Sequence, residues 1–165
     1  MDAASFKKIV MPHYRHMFVV ARAVAGNDDD AKDIVQDAVT RLWTKRDELD
    51  SVDNMQAYCT TIARRLAIDF TRCRHISVEI GDTEIRLSDD NYASRKVESS
   101  DTLSTVNTLI ASLPERQRQV LRLRCHGECS MEEIAQITGL TEVNARSVLS
   151  RARQRLKELF TNQQI

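Results

Sequence analysis

Apolar residues recur at helical spacing along the first half of the chain. Between residues 12 and 76 three amphipathic segments follow one another, each with apolar side chains three or four positions apart. Gly26 is a typical end for the first segment, and Asn27 with the acids after it is a typical start for the second. The pattern predicts three helices, with apolar positions Tyr14, Met17, Phe18, Ala21 and Val24; Ala31, Ile34, Val35, Ala38, Val39, Leu42 and Trp43; and Met55, Tyr58, Cys59, Ile62, Leu66 and Phe70.

Helix starts are predicted where a polar residue is followed three positions later by Glu or Gln, the pattern of a capping box. Asp53 with Gln56 has this pattern and ends a polar loop over residues 44–54. The same spacing recurs at Ser112 with Glu115 and at Ser130 with Glu133. The sequence therefore predicts helices after each of these three points.

The middle of the chain has no helical period. Residues 77–104 are rich in Asp, Ser and Glu, and we interpret them as an acidic linker. A small hairpin formed by ISVEI and IRL around GDTE is the alternative, although an isolated hairpin is marginal in water. This interpretation divides the chain into residues 1–76, the linker 77–104 and residues 105–165.

The last third of the chain predicts a helix-turn-helix. A short helix over residues 131–138 stops at Gly139 and Leu140, and a longer one runs from about Thr141 to Phe160. Ala135 is small where the two helices would cross, four positions before the turn glycine. On the longer helix the apolar arc is Ala145, Val148, Leu149, Ala152, Leu156, Leu159 and Phe160, and the opposite arc holds Val143, Arg146, Ser147, Ser150, Arg151 and Gln154.

Composition narrows the fold to an all-α class. Only 4 Gly and 2 Pro occur, too few for the turns that a sheet-rich fold needs. No apolar run approaches the length of a membrane span, and the apolar N-terminal stretch is interrupted by Arg15 and Arg22, which argues against export. The 4 cysteines are few and scattered for a disulfide framework, so we expect a reduced, cytoplasmic protein.

The net charge of zero conceals an uneven distribution. Residues 1–76 have 12 basic and 11 acidic side chains, residues 77–105 have 3 and 7, and residues 106–165 have 9 and 6. The arginines of the last segment concentrate on and beside one face of the second helix, where Arg can hydrogen-bond guanine edges and neutralise phosphates. The sequence thus favours a DNA-reading helix, the alternative being a solvated basic face.

Two stretches of the chain resemble a known family. The run SLPERQRQVLRLR with SMEEIAQITGL and ARSVLSRARQRLKELF resembles region 4 of a bacterial sigma factor. The run DDAKDIVQDAVTRLW with NMQAYCTTIARRLAIDFTRCR resembles region 2. With these two regions and a short linker, the chain resembles the extracytoplasmic-function group of the sigma-70 family.

The resemblance implies a non-catalytic transcription initiation factor without cofactor, metal or small-molecule substrate. Its partners would be core RNA polymerase, promoter DNA and an anti-sigma factor, often membrane-associated. The linker would pass through polymerase channels that otherwise hold nucleic acid; its acidity equally suits a soluble tether.

The resemblance also implies roles for individual residues. Many relatives carry Asn at the position of Arg65, and Tyr58 also belongs to the apolar stripe described above. Core polymerase binding falls to Asp33, Gln36, Asp37, Thr40 and Arg41; −10 element binding and melting to Asn54, Tyr58, Arg64, Arg65, Asp69 and Arg72; and −35 element binding to Val143, Asn144, Arg146, Ser147, Ser150, Arg151 and Arg153.

Two alternatives from other classes stay open at this point. A conventional helix-turn-helix repressor would use its N-terminal bundle to dimerise or sense a ligand and would bind a palindromic operator. A thiol or metal enzyme would use Cys125, His126 and Cys129, but the fourth ligand of a closed zinc site is missing nearby. An exposed Cys129 could instead serve redox sensing. No hydrolytic triad and no phosphate-binding glycine loop accompanies them.

Overall fold

The computed structural model describes residues 1–80 and 101–163, and every regular element within them is helical. This confirms the all-α prediction. Short 3-10 helices occupy Met11–His13 and Arg46–Ser51. The α-helices are α1 (Ala3–Val10), α2 (Tyr14–Ala25), α3 (Asp28–Thr44), α4 (Met55–Ile80), α5 (Asp101–Ala111), α6 (Glu115–Cys125), α7 (Met131–Thr138) and α8 (Glu142–Gln163).

The junction between α2 and α3 forms as the sequence predicts. Gly26 ends α2 in the left-handed conformation, with φ +93°, which side chains rarely adopt. The Asn27 side chain then accepts a hydrogen bond of 2.9 Å from the Asp30 backbone N–H. Arg22 also contacts Asp28 at 2.8 Å, so an ion pair ties the end of α2 to the start of α3.

The chain forms two compact units, and helices α1–α4 make up the first. The predicted stripes of α2 and α3 lie largely in its core: Met17, Ala21, Ala31, Val35, Ala38 and Leu42 are fully buried. Trp43 is a correction, because it is 37% exposed at the edge of the α3 stripe. Its ring is partly covered by Phe6 of α1, edge-on at 5.0 Å between ring centroids.

The predicted buried face of α4 is wrong by about one residue of rotation, or roughly 100°. Of the six positions in that stripe only Cys59 is buried, whereas the other five are half-buried: Met55, Tyr58, Ile62, Leu66 and Phe70. Small side chains allow helices to approach closely, and α4 packs against both α2 and α3. The face that α4 buries consists of Cys59, Thr60, Ala63, Ala67 and Ile68.

Two helical segments and one cap differ from the sequence prediction. Helix α1 was not predicted, yet its Phe6 and Val10 are buried. The predicted loop 44–54 contains the 3-10 helix Arg46–Ser51, held by Leu49, which is only 2% exposed. Helix α4 is capped by Asn54, whose side-chain oxygen accepts from the Ala57 N–H at 3.0 Å, and not by a capping box at Asp53.

Helices α5–α8 make up the second unit. The short helix, the turn and the long helix lie at the predicted positions as α7, Gly139 and α8. Ala145, Leu149 and Ala152 are buried, Val148, Leu156 and Leu159 are half-buried, and Phe160 is 38% exposed, which corrects its core assignment. The core of this unit comprises Leu109, Leu113, Val120, Leu121, Leu123, Ile134, Ile137, Ala145, Leu149 and Ala152.

Both edges of the predicted linker are helical. Helix α4 continues through Ile80, so the residues proposed as the first hairpin strand, 76–80, are helical, and α5 begins at Asp101. The remainder of the predicted hairpin lies outside the described residues. A helix continues past 76 because no glycine or proline interrupts the chain before Gly81.

Candidate nucleic-acid interface

Three local signals position α8 in the second unit. The Ser130 side chain accepts from the Glu133 N–H at 3.1 Å while the Glu133 carboxylate accepts from the Ser130 N–H at 3.0 Å, which confirms this capping box. Gly139 then ends α7 with φ +75°. Thr141 caps α8, because its hydroxyl accepts from the Asn144 N–H at 3.1 Å. Each turn is therefore formed by residues adjacent to it in the sequence.

The other capping box of this unit is absent. Ser112 donates its hydroxyl hydrogen to the Leu109 carbonyl at 2.6 Å, so it closes the end of α5. The first helical carbonyl of α6 is that of Pro114, which accepts from the Arg118 N–H at 2.9 Å. The prediction failed because a serine hydroxyl can serve the helix before it as well as the helix after it.

The polar face of α8 is exposed to solvent. All seven residues that the resemblance assigns to the −35 element are exposed, and Val143 is the extreme case for an apolar side chain, at 72%. The opposite face is packed against α6 and α7. An apolar side chain held in water at the start of a helix costs hydration free energy, which contact with a thymine methyl would recover. The exposed residues are Val143, Asn144, Arg146, Ser147, Ser150, Arg151 and Arg153.

A hollow beside α8 gathers positive charge. It is an open depression of about 460 Å³, and we call it the basic depression. Four of its eight lining residues are cationic and none is acidic, so its field attracts anions. Of the eight lining residues, Arg124, Met131 and Lys157 are not among the candidates that the sequence suggests. The lining residues are Arg124, Met131, Arg146, Leu149, Ser150, Arg153, Gln154 and Lys157.

Three arginines of α6 donate hydrogen bonds to backbone carbonyls of the second unit. Arg116 donates to the Thr138 carbonyl at the end of α7, and Arg118 donates to the Ala111 carbonyl at the end of α5, each at 3.1 Å. Arg124 donates to the Cys129 carbonyl at 2.9 Å. Cations at the carbonyl ends of helices are favourable, because the helix dipole is negative there. Part of the basic charge of this segment is therefore structural, which a count of charges does not reveal.

Four of the six −10 candidates share one face of α4. Arg65, Asp69 and Arg72 are exposed and lie at i, i+4 and i+7, with the half-buried Tyr58 seven positions before Arg65. Asn54 lies at the start of the helix, exposed, with its side-chain oxygen engaged in the cap.

Arg64 does not join this face. It is half-buried and lies in register with Thr60 and Ile68, which belong to the packed side of α4. The sequence alone could not predict that Arg64 and Arg65 lie on different faces of α4, because the apolar stripe predicts the wrong buried face for this helix.

The five polymerase candidates form a continuous polar face on α3. Asp33, Gln36, Asp37, Thr40 and Arg41 are all exposed, opposite the buried Ile34, Ala38 and Leu42. The Thr40 hydroxyl donates to the Gln36 carbonyl at 2.9 Å, so this side chain is held against its own helix. Beyond the end of α3, the Arg46 guanidinium stacks over the Trp43 ring with 4.3 Å to the ring centroid.

The cysteines offer no assembled chemical centre in the described residues. Cys129 is fully buried, so the expectation of an exposed Cys129 is wrong, while Cys125 and Cys73 are exposed. Burial raises the pKa of Cys59 to about 11. Within residues 1–80 and 101–163, no three His, Cys, Asp or Glu side chains are placed to hold a metal ion. In the same residues no helix has both the length and the apolar character needed to cross a membrane.

Comparison with known proteins connects both units to one family. The family model for "Sigma-70 region 2" matches residues 9–75, and the one for "Sigma-70, region 4" matches residues 104–156. The RNA polymerase sigma factor SigV of Bacillus subtilis (strain 168) is 24% identical over 159 residues, which cover 94% of this chain and 91% of that protein. The ECF RNA polymerase sigma factor SigM of the same strain is 28% identical over 130 residues, covering 79% of each.

A solved structure supports the same relationship. The sigma factor RpoE from Bartonella quintana, crystallised in complex with the anti-sigma factor NepR, superposes with a TM-score of 0.59 at 27% identity. The likeness covers 95% of this chain and 97% of that one. With both sigma-70 regions present in the family order, the chain belongs to the sigma-70 family of RNA polymerase sigma factors, in its extracytoplasmic-function group.

Proposed function

We propose that the chain is an alternative sigma factor that binds core RNA polymerase and directs promoter recognition, DNA melting and transcription initiation. The observation that carries the proposal is the presence of regions 2 and 4 in one chain, each with an exposed polar helix face. The protein acts by binding and catalyses no reaction itself. It works in the cytoplasm, where bacterial RNA polymerase is found.

Polymerase binding is assigned to the exposed face of α3. This face carries Asp33, Gln36, Asp37, Thr40 and Arg41, and the Ile34, Ala38 and Leu42 side chains behind it are buried and hold it rigid. A rigid, charged helix face suits a partner surface with complementary charge. Such complementarity fixes how the two surfaces align when they bind.

Promoter melting is assigned to α4 and the segment before it. A flipped base needs hydrogen-bonding and stacking groups, and a separated strand needs positive charge beside it. Tyr58, Arg65 and Arg72 supply an aromatic ring and two cations on one face of α4, with Asp69 among them. Asn54 begins this face, and Arg64 is the weakest of the six candidates, since it belongs to the packed side.

Recognition of the −35 element is assigned to α8, the second helix of the helix-turn-helix. Such a helix enters the major groove and reads bases with its N-terminal residues. Val143, Arg146 and Ser147 occupy that end and are exposed, followed by Ser150, Arg151 and Arg153. Asn144 also lies at this end of the helix.

The acidic linker, residues 77–104 in our assignment, joins the two promoter-binding parts. Tethering raises the local concentration of the second part once the first has bound, provided that the tether spans both sites. The domain boundaries 1–76 and 105–165 belong to this proposal.

An anti-sigma factor is the remaining expected partner. The RpoE structure contains one bound to a sigma factor, and that chain resembles this one over nearly its full length. We propose that such a partner controls access to the polymerase and promoter faces. The repressor alternative is not retained, since both matched family models describe sigma regions.

Transcription from purified components tests the proposed function. Core polymerase is incubated with the chain and a pool of templates that share a transcribed sequence and differ in a randomised upstream segment. We expect RNA from a subset of templates only when the chain is present, and sequencing of that subset yields the promoter. A second sample tests the polymerase face with the double variant Asp33→Lys, Asp37→Lys. These substitutions reverse charge on α3 and leave its buried residues unchanged.

The same assay can overturn the proposal. If the chain yields no template-selective RNA while a gel shift shows tight binding to a palindromic duplex, the chain is a repressor. If the Asp33→Lys, Asp37→Lys variant initiates as well as the native chain, α3 is not the polymerase face.

A further inference from the structure

Two parallel rows of side chains run along the exposed part of α8. Arg146, Ser150, Arg153 and Lys157 recur at i, i+4, i+7 and i+11 and line the basic depression. Val143, Ser147 and Arg151 recur at i, i+4 and i+8 and lie outside it. At about 100° per residue the two rows are turned roughly 90° from each other around the helix. When one row of α8 enters a DNA groove, the other row therefore faces a different part of the DNA.

We propose that the basic depression binds a backbone phosphate of the −35 duplex and adds affinity without sequence preference. Base recognition then lies with the other row: Val143, Ser147 and Arg151. The proposal rests on the proposed function and deepens it, because it divides six of the seven −35 candidates into two roles and adds Arg124 and Lys157 as phosphate ligands.

The surroundings of DNA explain the division. A helix in the major groove has base edges in front of it and the sugar-phosphate backbone along its flank. The row outside the basic depression includes Val143, whose exposed methyl groups match a thymine methyl and have no use at a phosphate. Three of the four side chains in the row inside it are cationic, and this row is turned roughly 90° around the helix from Val143, towards the flank where the backbone lies.

Arg124 contributes from a second helix. Its guanidinium already donates to the Cys129 carbonyl at 2.9 Å, which holds the α6–α7 turn beside the depression. A guanidinium has five N–H donors, so one arginine can hold a turn and contact an anion at the same time. Cations that converge from two helices favour a compact anion such as a phosphate.

A phosphate is favoured over an acidic side chain of a protein partner. The basic depression adjoins the proposed base-reading row, since its Arg146 and Ser150 are sequence neighbours of Ser147 and Arg151 on α8. An occupant of the depression is thus adjacent to whatever α8 reads. In a DNA complex that neighbour is the backbone of the same duplex.

The test compares four single variants of the full chain, each bound to core polymerase. Arg153→Gln and Lys157→Gln remove charges that line the depression, and Arg151→Gln removes one from the other row. Arg155→Gln is the matched control, because Arg155 is an exposed arginine of α8 outside the depression, 3.9 Å from Glu158. All four positions are exposed, so the variants retain the buried face of α8.

Duplexes selected from the template pool are used as probes, and dissociation constants are measured by fluorescence anisotropy between about 50 and 200 mM salt. For Arg153→Gln and Lys157→Gln we expect the slope of log affinity against log salt to fall by about 0.9 each, the value for one lost phosphate contact. Both variants select the same sequences as the native chain. Arg151→Gln selects altered sequences, and Arg155→Gln changes neither property.

The inference is overturned if Arg153→Gln and Lys157→Gln leave the salt slope at the Arg155→Gln value, or if they change the selected sequences. It is also overturned if a decaglutamate peptide displaces a fluorescent probe duplex at lower concentration than unlabelled duplex does, because the depression then serves an acidic protein partner. Failure of the proposed function is distinct, since the native holoenzyme then produces no template-selective RNA at all.

Discussion

Helices α4 and α8 both carry candidate DNA-binding faces, yet the hydrophobic pattern predicted one correctly and misplaced the other. On α8 the buried residues are those of the predicted apolar arc. On α4 the buried face consists mainly of small residues such as Ala63 and Ala67, and the larger Tyr58, Ile62 and Leu66 lie beside it. Hydrophobic size predicts the core face where a helix packs from one side. It fails where close helix contact selects small side chains.

The largest expected effect tests this difference on α4 directly. Ala63→Leu inserts volume at a fully buried contact and is expected to destabilise the first unit by about 1–3 kcal/mol. Leu66→Ala, at a half-buried position, is expected to cost less. Trp43 is the only tryptophan of the chain, so urea unfolding followed by its fluorescence reports on the first unit.

If Leu66→Ala destabilises the first unit more than Ala63→Leu does, the apolar stripe predicted from the sequence is the buried face of α4. In that case Leu66→Ala costs about 2–5 kcal/mol, as for a buried leucine, and Ala63→Leu is mild.

On α8 the comparison is sharpened by removing Arg151, the arginine that we propose reads bases. Arg151→Ala is expected to reduce discrimination between base pairs at one promoter position by about 1–3 kcal/mol, the value of a bidentate arginine contact. Relative affinities for duplexes that differ at single −35 positions measure this change. Arg146→Ala is expected to lower promoter affinity as well. Unchanged affinity and preference in both variants would remove α8 from the proposed interface.

A smaller effect is expected at Ser112 and Ser130, the two serines that both match the capping-box pattern in the sequence. Ser130 caps α7, whereas the Ser112 hydroxyl bonds to the Leu109 carbonyl. Ser130→Ala is expected to destabilise the second unit by about 1 kcal/mol, because the Glu133 N–H loses its acceptor. Ser112→Ala is expected to cost less. Thermal unfolding followed by far-UV circular dichroism measures both, and equal losses would contradict the assignment of the caps.

The smallest effect at neutral pH concerns Cys59 on the buried face of α4. Burial raises the pKa of Cys59 from 9.0 to about 11 in the folded protein. The unfolded chain therefore loses this proton first, so the stability due to Cys59 is complete below pH 9 and falls as pH rises towards 11. Cys59→Ala should remove this part of the alkaline loss in urea titrations at several pH values. An identical alkaline profile in the variant would show that Cys59 does not titrate as expected.

Local signals predicted elements well where a residue acts on its own neighbours. Gly26 and Gly139 end helices in the left-handed conformation, and Asn27 and Ser130 cap the helices that follow. Each of these roles depends on a few adjacent residues, and the sequence contains all of them. The face of α3 was also predicted, because its larger apolar residues point to a single core.

Signals that depend on distant partners were missed. Helix α1 is amphipathic over only eight residues, and its position follows from burial of Phe6 and Val10 in the first unit. Leu49 holds the 3-10 helix Arg46–Ser51 by burial in the same way. Arg116, Arg118 and Arg124 bond to carbonyl groups at helix ends and turns, so their structural role follows from the packing of α6.

The sequence by itself determined the all-α class, the order of the two sigma regions, the helix-turn-helix and the exposed face of α8. These follow from periodicity, capping and glycine conformation, which act over a few residues. Only the tertiary structure decided which side of α4 is buried, placed Arg64 away from Arg65, buried Cys129, and brought Arg124 beside Arg153 and Lys157. These outcomes depend on how closely the helices approach one another. That distance is set by the sum of contacts between residues that are far apart in the sequence.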